Sequence, residues 1–520
     1  MVITEILARN ARMYGDEVAL IERDPAAGHR SEITWQQFDA LANQTANALR
    51  QQGVGKGDRV VQLMMNCIEW LPVYFGILKA GAIAVPLNFR FQAPDISRCV
   101  RLSEARALIF GEEFIERIAA SKTEMDQWVD LYLFVGPASQ CPPYSFFYKE
   151  FIEPAEKDAP DVRISLCDGA GIYFTSGTTG KPKGVYLTQR HLEFACYVEN
   201  RHHNQTHADN FLCIPPLYHT GAKMHWFGNL IVGAKAVILK GFSPEAILDA
   251  VSEEHVTIVW LLVPWAHDIL VAIESQGIDL RTYQLDQWRL MHIGAQPVPP
   301  RLIEKWKQYF PNHEYDTNYG LTEATGPGCV HLGVENFHKI GSIGVPGFDW
   351  ECRVVDENGK DVACEAPGEL LVRGPGVMVG YYQNPEATDA VFTDGWLRTG
   401  DIARKDTEGF IWLIDRKKDV IITGGENIFP VEIENFLMTH EDILDAGVIG
   451  VPDIRLGEIA AAVIALKPGR TLSEDHIRGF CEALPKYMRP RRVFFDDVPR
   501  NPTGKIEKPK LRAKYAKNNS

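Results

Sequence analysis

Hydroxyls and glycines alternate along Tyr173-Phe-Thr-Ser-Gly-Thr-Thr-Gly-Lys-Pro-Lys-Gly184. Thr175, Ser176, Thr178 and Thr179 are interleaved with Gly177, Gly180 and Gly184, and Lys181 and Lys183 supply positive charge. Glycine lets the backbone curl with its N–H groups exposed, and the hydroxyls add further donors, so the segment has the chemistry of a phosphate cradle. It is not a Walker A loop: Thr175 takes the first glycine position, and Pro182 stands where Ser or Thr should hold magnesium. Far along the chain, Asn501-Pro-Thr-Gly504 forms a turn sequence that aims the side chain of Lys505. A serine nucleophile in a G-x-S-x-G frame is absent.

Positioning such a loop calls for strands and helices in alternation, and the first 340 residues read that way. Thr34-Trp-Gln-Gln37 is a capping box opening a helix on Phe38, Leu41, Ala42, Thr45 and Leu49, with Gly53 placed to end it. A strand over 59–65, a helix over 68–79 and a buried strand over 82–86 make a βαβ unit. Ser243-Pro244 caps a helix running to Glu254, and a strand follows over 257–261. Such alternation predicts an α/β protein, its large N-terminal domain built on parallel or mixed sheets covered by helices. Residues 341–415 change to short β-like runs broken by Gly and Pro, a β-rich subdomain. Asp415-Arg-Lys-Lys-Asp419, five charges read as unfit for a core, mark a boundary between a domain of 1–415 and one of 416–520. The latter has an α+β pattern: a helix opened by Pro430, strands over 445–451 and 459–466, a helix over 472–484 and a strand over 493–495.

Composition narrows the function classes. The 520 residues are 45% hydrophobic and 23% charged, ordinary for a folded protein and long enough for several domains. With 54 basic and 68 acidic residues the net charge is −14, which argues against a non-specific nucleic-acid binder. The 10 cysteines form no C-x-x-C pair, so reduced thiols in a cytoplasmic protein are expected. Neither a signal peptide nor a membrane span is expected, since no apolar run approaches the ~18 residues a span requires. His202, His203 and His207 lack an H-E-x-x-H frame, so no zinc site is expected there. Gly374-Pro-Gly-Val-Met-Val-Gly380 misses the dinucleotide-binding spacing.

The 175–184 string resembles the signature loop of the adenylate-forming superfamily, in its acyl-coenzyme A synthetase branch. Further motifs follow in the family's order: Asn318-Tyr-Gly-Leu-Thr-Glu-Ala324, Gly395-Trp-Leu-Arg-Thr-Gly-Asp401, Asp415–Asp419, Gly424-Gly-Glu-Asn-Ile428 and Asn501–Lys505. The resemblance spans roughly residues 10–510 and implies ATP, Mg²⁺ and coenzyme A as cofactors. It implies that Thr175, Ser176, Gly177, Thr178, Thr179, Gly180 and Lys183 wrap the β- and γ-phosphates. Tyr319, between Asn318 and Gly320, would stack on adenine, with Gly294, Ala295 and Gln296 lining the other side. Thr322 would touch a phosphate and Glu323 would hold Mg²⁺, a hard ion suited to carboxylate oxygen. Asp401 would accept from the ribose hydroxyls, and Arg416 would support ribose and phosphate. Lys505 would sit between substrate carboxylate and α-phosphate, two anions whose encounter is limited by electrostatics.

The same resemblance makes 416–520 a mobile cap. It would turn about Lys418 after adenylation, removing Lys505 and presenting Gly424 and Gly425 to the pantetheine arm. Tyr487, Arg489 and Arg491 would meet the adenine and phosphates of coenzyme A, or else form a solvated basic helix end. Pro215-Pro-Leu-Tyr-His-Thr-Gly221 matches the entry to the acyl pocket, with His219 as gate. Thr220 replaces the Asp of amino-acid-activating relatives, which disfavours an α-amino acid. Lys223 and His225 leave room for a polar or anionic group on the substrate. The expected activity is ligation of a small carboxylic acid to coenzyme A through an acyl-adenylate. Loading of a carrier protein and a non-catalytic nucleotide-binding role stand as alternatives, and a homodimer is compatible with the sequence.

Overall fold

The computed structural model describes residues 1–176, 182–295, 298–424, 426–500 and 505–516. An eight-stranded sheet holds the strands Arg59–Leu63, Ile83–Pro86, Ala107–Gly111 and Leu131–Val135 in parallel. Its other flank is a hairpin, Gly169–Ser176 against Pro182–Thr188, running antiparallel with Ser176 opposite Pro182. The short strand Gly380–Tyr381 closes that edge. A seven-stranded sheet carries Asn210–Cys213, Lys235–Leu239, Ile258–Leu262, Leu290–Gly294 and Glu314–Asp316 in parallel.

Local sequence explains the elements. Thr34 Oγ1 accepts from Gln37 N–H while the Gln37 side chain returns to Thr34 N–H, closing the capping box of helix Trp35–Gln51. Ser243 Oγ caps helix Pro244–Glu253 through Ala246 N–H. Helix Trp70–Lys79 is buried on every face, as an element inside a large core must be. It crosses helix Trp35–Gln51 at Gly76, where a β-carbon would lie 2.4 Å from Thr45 Cβ. Helix Gln189–His203 packs against helix Thr220–Val232, which is likewise almost wholly buried. No helix among the described residues is long and apolar enough to cross a membrane.

The β-rich part is an antiparallel sheet of Glu351–Val355, Gly368–Arg373, Phe392–Thr393, Trp396–Lys405 and Ile411–Arg416. The C-terminal part has its own cores around Ile433, Val448, Ala462 and Ile477 and around Ile449, Val463 and Leu511. Its sheet pairs Ile443–Asp453 with Gly457–Leu466 and adds Arg492–Phe495 in parallel. One helix is shorter than expected: Glu474–Phe480, ending in a 3₁₀ turn.

The charged run needs a correction. Asp415 and Asp419 are each only 7% exposed. Asp415 accepts from Val431 N–H at 2.9 Å, at the start of helix Pro430–Leu437, and Asp419 pairs with Arg512 at 2.7 Å. Charges that find a helix N-terminus or a guanidinium can be buried, so the run is a ligated joint with only Arg416, Lys417 and Lys418 facing solvent.

Because Gly76 lets two core helices touch, Gly76→Ala is expected to cost about 1–3 kcal/mol of stability through overpacking. A urea-unfolding midpoint equal to the parent's would show that the crossing has slack.

Candidate active site at the seam of the sheets

Strand ends gather the expected residues. Asn318 and Tyr319 form a two-residue strand against Val330–His331, and Thr322, Glu323 and Ala324 form a 3₁₀ turn behind it. Asp401 and Arg416 face each other across the Trp396–Lys405/Ile411–Arg416 pair. Arg416 Nε lies 2.7 Å from Asp401 Oδ1, and Tyr319 donates its hydroxyl to Asp401 Oδ2 at 2.5 Å. Tyr319 is therefore oriented by the carboxylate expected to hold the ribose. Gly294 ends its strand, and Ala295 turns the chain at φ +69°, a left-handed conformation costly for a residue with a β-carbon.

Glu323 and the phosphate loop meet through a residue that motif reading passed over. Tyr381 donates to Glu323 Oε1 at 2.9 Å, and the Lys183 ammonium lies 4.9 Å from the centre of the Tyr381 ring. Gly380-Tyr381 pairs with Val185-Tyr186, which ties the β-rich part to the hairpin. Burial and the Glu323 carboxylate push the Tyr381 phenol up, so it stays a donor. Gly177, Thr178, Thr179, Gly180, Gln296, Gly425 and the Asn501–Gly504 turn lie outside the described residues, as does the side chain of Ser176.

Lys505 belongs to this group. Its side chain keeps solvent contact, yet the protein around it lowers its pKa to about 8, chiefly by desolvation. Arg416 pushes it down as well, Asp401 and Glu323 pull it back up, and Lys418 adds to the depression. His219, heading helix Thr220–Val232, is pushed down to about 3 by burial and then by Lys505 and Lys223. The C-terminal lysine is thus close enough to His219, Asp401, Arg416 and Glu323 for their charges to be felt. An oxygen ligand beside a loop built for phosphate fits Mg²⁺, which usually takes one or two protein carboxylates and completes its shell from phosphates.

Other expected residues are placed differently. Lys223 is fully buried with its ammonium 4.6, 4.9 and 5.9 Å from the ring centres of Tyr173, Tyr74 and Trp70. It faces an aromatic cage, and burial lowers its pKa to about 7. Arg489 donates to the carbonyls of Leu484 and Glu482 at 2.9 and 2.5 Å, which commits its guanidinium to a chain turn. Tyr487 and Arg491 are exposed. Lys418 lies in the turn after Ile411–Arg416, and Gly424, at φ +59°, donates to Leu456 C=O at 2.8 Å.

Comparison with known proteins decides the family. Residues 7–382 match the AMP-binding enzyme family, and residues 432–505 match the AMP-binding enzyme C-terminal domain. The chain belongs to this family. It is 34% identical over 487 residues to a feruloyl-CoA synthase of Amycolatopsis sp, covering 93% of this chain and 94% of the relative. It is 32% identical over 486 residues to a long-chain-fatty-acid–CoA ligase of Mycobacterium tuberculosis, covering 93% of each. The structure of an anthranilate CoA ligase in complex with anthranoyl-AMP superposes with a TM-score of 0.89 at 27% identity, covering 100% of this chain and 98% of that one. As a member of the AMP-binding enzyme family the chain is an ATP-dependent carboxylate–coenzyme A ligase, forming an acyl-adenylate and then an acyl thioester. ATP, Mg²⁺ and coenzyme A are its cofactors.

Glu323→Gln is expected to raise the Mg²⁺ concentration for half-maximal activity with an unchanged circular dichroism spectrum, because an amide is a poorer ligand for a hard dication. Tyr381→Phe, which frees the carboxylate from its donor, is expected to shift the same curve by a smaller factor. Superimposable magnesium curves would remove both residues from the metal site.

Proposed function

We propose that residues 1–415 bind ATP and the acid, that residues 416–520 form a cap turning about Lys418, and that the enzyme acts on a compact cyclic or aromatic carboxylic acid in the cytoplasm. Adenylation joins a substrate carboxylate oxygen to the α-phosphorus and breaks the bond to pyrophosphate. Lys505 and Arg416 offset the charge that accumulates where the two anions meet. Glu323 holds the Mg²⁺, whose charge offsets that of the phosphates. Thr322 and residues 175–183 hold the phosphates, Asp401 the ribose hydroxyls, and Tyr319 with residues 294–296 the adenine. After the cap turns, the coenzyme A thiol loses its proton and its sulfur attacks the acyl carbon, and AMP leaves. Gly424 and Gly425 give the pantetheine arm room, and Tyr487 and Arg491 are the exposed pair available to the coenzyme A nucleotide. The observation that carries the adenylation assignment is the Asp401 carboxylate held by Arg416 at 2.7 Å and by Tyr319 at 2.5 Å, which brings the adenine, ribose and phosphate motifs to one place.

Trp260 supports the substrate class. A β-carbon on Gly221, two residues beyond the gate, would meet Trp260 Cη2 at 3.5 Å, and one on Gly294 would meet Trp260 Nε1 at 3.8 Å. The indole therefore lies close both to Gly221, near the gate, and to Gly294, at the end of the strand before the adenine segment. It stacks on His225 with ring centres 4.7 Å apart and planes 13° apart, and its buried Nε1 has no hydrogen-bond partner among the described residues. A flat, nearly buried ring with an unpartnered donor beside these glycines suits a ring acid bearing a hydrogen-bond acceptor.

Lys505→Ala is expected to lose about 10²-fold in adenylation, the scale of one removed transition-state contact. Thioester formation from supplied acyl-adenylate should change far less, and equal losses would refute the assignment. Because the cation is needed and its pKa lies near 8, kcat/KM for pyrophosphate release should fall as pH rises through about 8.

A panel of acids assayed for AMP release should give highest kcat/KM with compact ring acids. Trp260→Ala should then shift the preference toward longer acids while the parent compounds lose affinity. An unshifted chain-length profile would place the end of the pocket elsewhere.

A further inference from the structure

Behind the adenine strands lies a cluster that the reaction does not use. Helix Gln189–His203 brings Glu199, His202 and His203, strand Leu290–Gly294 brings His292, strand Glu314–Asp316 brings Asp316, and strand Val330–His331 brings His331. Glu199, His203, His292, Asp316 and His331 are each no more than 3% exposed. His203 Nε2 is 2.8 Å from Asp316 Oδ2 and 3.0 Å from His292 Nδ1. Asp316 Oδ2 is 3.9 Å from His292 Nδ1 and 3.8 Å from His331 Nδ1.

The geometry points to a structural divalent-metal site, best matched to zinc, with His203 Nε2, His292 Nδ1 and Asp316 Oδ2 as ligands and His331 beside them. Ligands about 2.0–2.1 Å from a tetrahedral ion lie about 3.3 Å from one another, and the three separations, 2.8, 3.0 and 3.9 Å, bracket that value. Two imidazoles and a carboxylate, closed to solvent, are a donor set zinc accepts.

The outer contacts have the form that metal ligands usually show. His203 Nδ1 is 2.9 Å from Glu199 Oε2, which fixes the tautomer that leaves Nε2 for the ion. Asp316 Oδ1 accepts from Thr317 N–H and Gly333 N–H, both at 2.8 Å, which turns Oδ2 inward. His331 is stacked on His202 with ring centres 3.6 Å apart, and His202 Nε2 accepts from Phe348 N–H at 2.9 Å. Neither nitrogen of His331 makes a hydrogen bond among the described residues, and Glu199 Oε1 and His292 Nε2 also lack one. Buried polar atoms left unpaired call for a partner, and His331 Nδ1, 3.8 Å from Asp316 Oδ2, is one of them. Such a bolt would join one helix and two strand ends beneath Gly294 and Asn318, whose amide nitrogen lies 2.9 Å from His225 Nε2. A site so enclosed fills as the chain folds and resists dialysis.

The test is the metal content of the full-length protein, expressed with zinc in the medium, dialysed against EDTA and measured by inductively coupled plasma mass spectrometry. About one zinc per chain is expected, and Co²⁺ incorporated in its place should give the intense visible bands of a tetrahedral centre. His292→Ala and Asp316→Asn should lose the metal, while His207→Ala, at an exposed histidine, should keep it. Should the ligand variants fail to fold, the wild type still decides. Zinc retained through dialysis, with a Tm lowered by a strong chelator and restored by zinc, supports the site. Wild-type protein without stoichiometric metal, its Tm indifferent to chelator and zinc, overturns it. The cluster would then be a hydrogen-bond network in which Glu199 and Asp316 hold His203 protonated.

Discussion

The pairing of Asp401 with Arg416 is the contact on which the site's geometry rests. It lies in register across two antiparallel strands, one oxygen of the carboxylate taking the guanidinium and the other the Tyr319 hydroxyl. An ionised carboxylate offers about four acceptor positions, so these two bonds leave room for two ribose hydroxyls. The guanidinium, fixed by the same carboxylate, then contributes to the potential at Lys505. Tyr319 and Arg416, the residues proposed for adenine and for the α-phosphate side, are thus referenced to a single side chain that is 5% exposed.

Arg416 is also the last residue before the joint. Asp419 N–H returns to its carbonyl at 2.8 Å, and Lys417 N–H donates to Gly400 C=O at 2.9 Å. The turn that carries Lys418 is hydrogen-bonded back onto the large part of the chain on one side and held by Arg512 of the C-terminal helix on the other. The contacts there are polar, and under the proposed turning of the cap a few residues at this place would absorb the change.

Much of this was legible in the sequence because it depends on neighbours in the chain. The capping box at Thr34, the βαβ unit of 59–86 and the proline-opened helix at Pro430 are local, and the motifs around Ser176, Tyr319, Asp401 and Lys505 are short strings. What was missed depends on contacts far apart in sequence. Asp415 and Asp419 looked like solvent charges because their partners, Val431 N–H and Arg512, are 16 and 93 residues away. Tyr381 carries no motif of its own and acquires its place only when its strand pairs with Val185-Tyr186. His203 lies 113 residues from Asp316, so no spacing rule could show that they touch. Arg489 was read either as a phosphate contact or as part of a solvated basic helix end, and a guanidinium in a basic run gives no hint that the Leu484 and Glu482 carbonyls hold it.

The hairpin at 169–188 has a bearing on the order of events. In nucleotide-binding folds whose phosphate loop runs from a strand into a helix, the helix N-terminus adds a fixed positive end that grips the anion throughout turnover. Here the motif is followed by a second strand, Pro182–Thr188, antiparallel to the first with Ser176 opposite Pro182. A sheet carries little net dipole, so the proposed hold on the triphosphate would come from separate N–H, hydroxyl and ammonium donors. Under that proposal the donors are shared out once the chain of phosphates is cut, and pyrophosphate can depart while the adenylate stays behind.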